Sequence, residues 1–126
     1  MIAERALVSI VDDDESVRES LPELLRQFGY ASRAFPSAEA FLASEFVGET
    51  SCLILDVAMP GMSGPDLQRQ LLCRQQAMPT VFITAQRDET LRPRLLAGGA
   101  VECLFKPFSD EALLDALEAA LRGRAV

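Results

Sequence analysis

Aspartates, a threonine and a lysine stand at the ends of short apolar runs in this chain. The run Leu7-Val8-Ser9-Ile10-Val11 stops at Asp12-Asp13-Asp14, and Cys52-Leu53-Ile54-Leu55 stops at Asp56. Val81-Phe82-Ile83 stops at Thr84, and Val101-Glu102-Cys103-Leu104-Phe105 stops at Lys106-Pro107-Phe108. Carboxylates from Asp12, Asp13 and Asp56 gathered at one place repel one another unless a cation holds them. Oxygen donors with no histidine or cysteine among them favour Mg²⁺ or another hard divalent ion, with Mn²⁺ as a substitute. Lys106 adds a point charge and Thr84 a hydroxyl donor. Such a set suits a phosphoryl group in transit, because that chemistry depends mainly on positioning and charge neutralisation. Asp56 is then the nucleophile, and the product is an aspartyl phosphate. The chain has no histidine at all, which excludes a histidine general base, a histidine metal ligand and a phosphohistidine carried on this chain.

For these residues to meet, the runs must be parallel strands of one sheet. They are short, rich in Val and Ile, and separated by helical patterns, which marks buried parallel strands. In an open α/β sheet the functional crevice lies outside the carboxyl ends of the strands. Val17, Leu21, Leu24, Leu25 and Phe28 recur at helical spacing after the first run; Gly29 closes that helix and Pro22 bends it. Residues 30–35 form a second strand. Ser37 caps a helix carrying Ala38, Phe41 and Leu42 on its inner face. The loop Met59-Pro60-Gly61-Met62-Ser63-Gly64 leads to a helix with Pro65 in its first turn and Leu67, Leu71 and Leu72 inward. Pro79 opens the fourth strand. A fourth helix is expected around Glu89 to Ala97, with Pro93 near its start, and a fifth follows the Ser109 cap with Leu113, Leu114, Leu117 and Leu121 on one face. Five β/α units with right-handed crossovers predict a doubly wound parallel sheet.

A chain of 126 residues suits a single domain, here 1–126 with a core of about 5–122. Net charge is −7, which argues against direct binding of nucleic acid or an anionic membrane by this domain. No apolar stretch is long enough to span a bilayer, and the N-terminus does not read as a signal peptide. Cys52, Cys73 and Cys103 read as reduced thiols in a cytoplasmic protein, with Cys52 and Cys73 as small apolar fillers. Asp14 reads as a helix cap rather than a metal ligand.

With these motifs in order at successive strand ends, the chain resembles the response-regulator receiver domains of two-component signalling, over roughly residues 5–122. It is most similar to receivers of regulators with a C-terminal helix-turn-helix of the LuxR/FixJ type. The resemblance implies a flavodoxin-like sheet of order 2-1-3-4-5 and phosphoryl transfer from a sensor histidine kinase to Asp56. It implies Mg²⁺ held directly by Asp13 and Asp56, by Asp12 mostly through water, and by the backbone carbonyl of Ala58. Lys106 would pair with the phosphate, Thr84 would move to hydrogen-bond it, and the Lys106–Pro107 bond would be cis. It also implies homodimerisation through helix 4, strand 5 and helix 5 on phosphorylation. Transcriptional output would then come from a domain outside this chain, with Arg122-Gly123-Arg124 resembling the start of a linker. On this reading the chain catalyses its own phosphorylation and dephosphorylation and is not a turnover enzyme.

Three departures from the family pattern stand out. The switch position three residues before the lysine, normally aromatic, holds Cys103; either coupling runs through a neighbour such as Phe105, or it is weak. Ala58 and Gln86 occupy positions that often tune phosphoryl lifetime. Pro93 is placed to shorten or shift helix 4. The rival readings are a receiver-like interaction module that does not signal by phosphorylation, and a hydrolase with an aspartyl-phosphate intermediate. The hydrolase would want a second carboxylate where Ala58 stands.

Overall fold

The computed structural model describes residues 6–122. Five strands form one parallel sheet in the order β2-β1-β3-β4-β5, as the alternation of elements predicts. They are β1 (Leu7–Val11), β2 (Ala31–Phe35), β3 (Cys52–Asp56), β4 (Thr80–Thr84) and β5 (Glu102–Phe105). The helices are α1 (Glu15–Gln27), α2 (Ala38–Leu42), α3 (Gly64–Cys73), α4 (Leu91–Ala97) and α5 (Asp110–Arg122), with a 3₁₀ turn at Val47–Glu49.

Every residue of β3 and β4 is buried, as expected of central strands covered on both faces. Alternate residues feed two cores. One holds Leu53, Leu55, Phe82 and Cys103 with Phe41 of α2, Leu67 and Leu71 of α3, and Leu91 and Leu95 of α4. The other holds Val8, Ile10, Ile54, Val81 and Ile83 with Leu21 and Leu25 of α1 and Leu113 and Leu117 of α5.

Side-chain caps set the helix starts. Asp14 accepts from the Ser16 N–H, Ser37 from Ala40, and Ser109 from Ala112, while Ser63 and Asp66 form a reciprocal capping box on α3. Each satisfies an orphan donor of a first turn. The sequence places the start of α4 too early. Asp88 accepts from both the backbone N–H (2.9 Å) and the hydroxyl of Thr90 (2.7 Å), which holds residues 88–90 in a turn. Helix α4 begins at Leu91, so Pro93 falls in the first turn, where its missing N–H costs nothing.

Other sequence expectations also need correction. Phe28 and Leu72, expected inward, are exposed, and Cys73 is exposed rather than a buried filler. Phe28 is the C-cap of α1, past the last helical turn that faces the core. Leu72 lies one residue beyond Leu71, about 100° around the helix from the buried stripe. Cys73 is the last residue of α3 and turns out with Arg74 and Gln75. The linker expectation at Gly123 and Arg124 lies outside the described residues.

Candidate functional site

Register brings the strand ends to one edge. Leu55 pairs with Val11, Asp56 with Ile83, and Thr84 with Phe105. The residues that end or follow β1, β3, β4 and β5 therefore meet at the carboxyl edge of the sheet.

Asp12 is fully buried and tightly held. Its backbone N–H donates to the Phe35 carbonyl (3.1 Å), continuing the β1–β2 ladder past β1. Its Oδ1 accepts from the Asp14 N–H (2.9 Å), and its carbonyl accepts from Arg18 Nη1 (3.0 Å). Its Oδ2 accepts from Lys106 Nζ at 2.9 Å, in an ion pair whose side chains are 0% and 20% exposed. Asp13 is exposed, and Asp56, the last residue of β3, is buried. One carboxylate oxygen from each of Asp12, Asp13 and Asp56 lies within 4.8 Å of the others, so these residues could hold a metal ion. Lys106 is thus brought to the site as expected, although its ion pair is with Asp12.

The crowding shows in the proton affinities. Burial, then the negative charge of Asp12 and hydrogen bonding to it, push the Asp56 carboxyl up to about 7, against the opposing pull of Lys106. Burial alone would lower the Lys106 ammonium. The hydrogen bond and charge of Asp12, helped by Asp56 and Asp14, outweigh it and hold Lys106 above its ordinary value.

Thr84 ends β4 and is fully buried. Its Oγ1 accepts from the Gln86 N–H (3.0 Å), and its carbonyl accepts from the Lys106 N–H (2.8 Å), tying the ends of β4 and β5 together. The Lys106–Pro107 peptide is cis. Cys103 is 2% exposed, packed with Leu91 and Leu95 of α4. Burial first, then the charge of Glu102, raises its thiol, which makes it a poor nucleophile or redox sensor.

Ala58 lies exposed in the loop that follows β3. That loop is cinched at its base by the Gly64 N–H donating to the Val57 carbonyl (2.9 Å). Glu39 Oε2, from α2, accepts from the Met62 N–H (3.1 Å) and anchors its far side. The sequence reading missed Arg18 and Glu39 as supports of the site. Arg18 carries a local signal, six residues after Asp12 on the first turn of α1; Glu39 carries none. Gly64 was seen only as a loop residue. A Cβ there would run into the Asp56 carbonyl oxygen and lie 3.0 Å from Phe82 Cε1 and 3.1 Å from Val57 Cα. Gly64→Ala is therefore expected to cost about 2–3 kcal/mol, at the upper end for overpacking because backbone must move. Urea unfolding checks this; a loss below ~0.5 kcal/mol would show that the loop yields freely.

Among the described residues no helix is long and apolar enough to cross a membrane. The family model described as "Response regulator receiver domain" matches residues 8–118. Nodulation protein W of Bradyrhizobium diazoefficiens is 46% identical over 116 residues, covering 92% of this chain and 51% of that protein. Transcriptional regulatory protein FixJ of Azorhizobium caulinodans is 39% identical over 114 residues, covering 90% of this chain and 54% of that protein. The crystal structure of FixJ-N superposes with a TM-score of 0.83 at 37% identity, covering 95% of this chain and 96% of that one. The chain spans about half the length of the curated relatives it matches. With its sheet order, its carboxylate cluster and these matches taken together, the chain belongs to the response regulator receiver domain family of two-component systems.

Proposed function

We propose that this domain is a phosphorylation switch, taking a phosphoryl group from a phosphohistidine of a sensor histidine kinase onto Asp56. The observation that carries this reading is the meeting of three carboxylates and the Lys106 ammonium at the carboxyl edge of the sheet. The donor set fits a hard divalent cation, since it offers only oxygens and Asp13 is open to solvent. Asp12, Asp13, Asp56 and the carbonyl of Ala58 would hold Mg²⁺ or Mn²⁺. When bound, the cation would neutralise the crowded carboxylates and the phosphoryl oxygens.

The chain's own residues do the rest. An Asp56 carboxylate oxygen attacks phosphorus; a P–O bond forms as the P–N bond to the kinase imidazole breaks, and that nitrogen takes a proton from solvent. Lys106 is positioned to exchange Asp12 for a phosphoryl oxygen. Thr84 has a hydroxyl that can leave the Gln86 N–H to donate to another. Phosphorylation adds about −1.5 to −2 charge with new acceptor oxygens, which biases an existing two-state equilibrium. The output in this reading is transcriptional control in the cytoplasm, through a DNA-binding domain outside this chain or a partner. Pairing of phosphorylated copies through α4, β5 and α5 would be one route. The rival, an interaction module that does not signal by phosphorylation, is favoured only by Cys103.

Incubating the protein with Mg²⁺ and acetyl phosphate tests the proposal. The expected intact mass is that of one added phosphoryl group, which does not form when chelator replaces the metal from the start. An unchanged mass would sink the switch reading. Turnover of many phosphoesters per protein would favour a hydrolase.

Lifetime is a separate expectation. Ala58 offers no polar side chain to guide attacking water, so the aspartyl phosphate should hydrolyse slowly. Ala58→Asn is expected to shorten its half-life several-fold, followed by decay of the phosphorylated mass. An unchanged or longer half-life would count against this role for position 58.

A further inference from the structure

We infer that Phe105, and not the residue at position 103, is the aromatic side chain that relays the state of Asp56 to α4; this rests on the phosphorylation reading above. Side chains on one strand alternate between sheet faces. Phe82 and Cys103 are register partners and share the core beneath α4. Two residues on, Thr84 and Phe105 are again register partners on that same face, at the edge where Asp56 lies. Neighbouring strands run about 4.8 Å apart, so the two side chains are immediate neighbours.

Their surroundings differ in the way a relay needs. Thr84 is fully buried, and its hydroxyl holds the Gln86 N–H at 3.0 Å, fixing the start of the loop to α4. Phe105 belongs to neither core cluster. It lines an open cleft of about 390 Å³ with Arg87, Asp88, Glu89, Arg92 and Pro93, all from the β4–α4 loop and the first turn of α4. When the Thr84 hydroxyl turns toward a phosphoryl group, it releases Gln86 and vacates space beside the ring. The ring can then leave the cleft for that space by side-chain rotation, removing one wall that supports the first turn of α4. Cys103 cannot do this. It is already buried in the same core as Leu91 and Leu95 and has no bulk to move. The Arg92–Glu102 ion pair at 2.6 Å, together with Glu102 accepting from the Cys103 N–H at 2.9 Å, further ties position 103 to the resting arrangement of α4.

The test uses the full chain with Mg²⁺ and beryllofluoride, followed by NMR. Fluorine signals of the bound probe report occupancy at Asp56, and amide shifts of residues 91–97 report the α4 response. Phe105→Ala should bind the probe as wild type does but lose at least half of the α4 shift changes, and Phe105→Tyr should restore them. Amide shifts of Phe105→Ala without the probe, unchanged outside α4 and β5, would establish that it folds. Full probe binding with wild-type α4 shifts in Phe105→Ala would overturn the inference alone. No probe binding in wild type would overturn the phosphorylation reading and this inference with it.

Discussion

Asp56→Asn is expected to abolish the added phosphoryl mass completely and, in chelator, to make the domain more stable than wild type. The first effect follows from removing the nucleophilic oxygen. The second follows from the crowding of Asp12, Asp13 and Asp56, whose carboxylate oxygens lie within 4.8 Å of one another. Without a cation, burial of Asp56 and its repulsion by Asp12 work against the folded state. Asparagine keeps the shape and removes one of the charges. A gain on the order of 1–3 kcal/mol at neutral pH is expected, seen as a melting temperature higher by several degrees.

The pH dependence has a definite sign. The Asp56 carboxyl is pushed up from 3.8 to about 7 in the folded state, so the folded protein binds its proton more tightly than the unfolded chain. Its contribution to stability is therefore present at low pH and lost as pH rises from about 4 to about 7. Melting curves in chelator should show wild type falling behind Asp56→Asn across that window. Equal stabilities at pH 4 and pH 7.5 for both proteins would contradict the electrostatic account. Adding Mg²⁺ should raise wild type far more than the variant.

Lys106→Met is expected to destabilise the domain by about 2–3 kcal/mol in chelator, because it strands a buried carboxylate. Asp12 is fully buried, and the Lys106 ammonium at 2.9 Å is its only ion-pair partner among the described residues. The Lys106 side chain keeps some contact with water, which holds the expected loss below that of a fully enclosed pair. Asp12→Asn in the Lys106→Met background should recover most of the loss, since the stranded charge is then gone. Urea unfolding of the two single variants and the double variant yields the coupling between them. Additive losses would show that Lys106 stabilises the site through its alkyl chain alone.

Much of this was legible in the sequence, and the reasons are local. The apolar runs 7–11, 52–55 and 81–83, with the helical patterns between them, specify strand and helix by their period. Asp14, Ser37 and Ser109 act as caps through bonds spanning two or three residues, so their roles can be read from neighbours alone. The errors arose where a local pattern met a boundary. Phe28 and Leu72 continue an apolar helix pattern by composition, yet they fall past or beside the stripe that faces the sheet. The start of α4 depended on the two hydrogen bonds that Asp88 makes to Thr90, which compete with helix at residues 88–90.

By itself the sequence determined which groups stand at the strand ends, that oxygen donors without histidine suit a hard cation, and that position 103 lacks a movable ring. Only the tertiary structure decided that Lys106 rests on Asp12, 94 residues away, and that Glu39 reaches across to the Met62 N–H. It also decided that Gly64 must lack a Cβ because α3 starts against the Asp56 carbonyl, and that Phe105 stands beside Thr84 over an open cleft. These contacts depend on strand register and on the paths of loops between distant segments. Periods of 2 and 3.6 residues carry which face a side chain takes, but not which distant side chain it meets there.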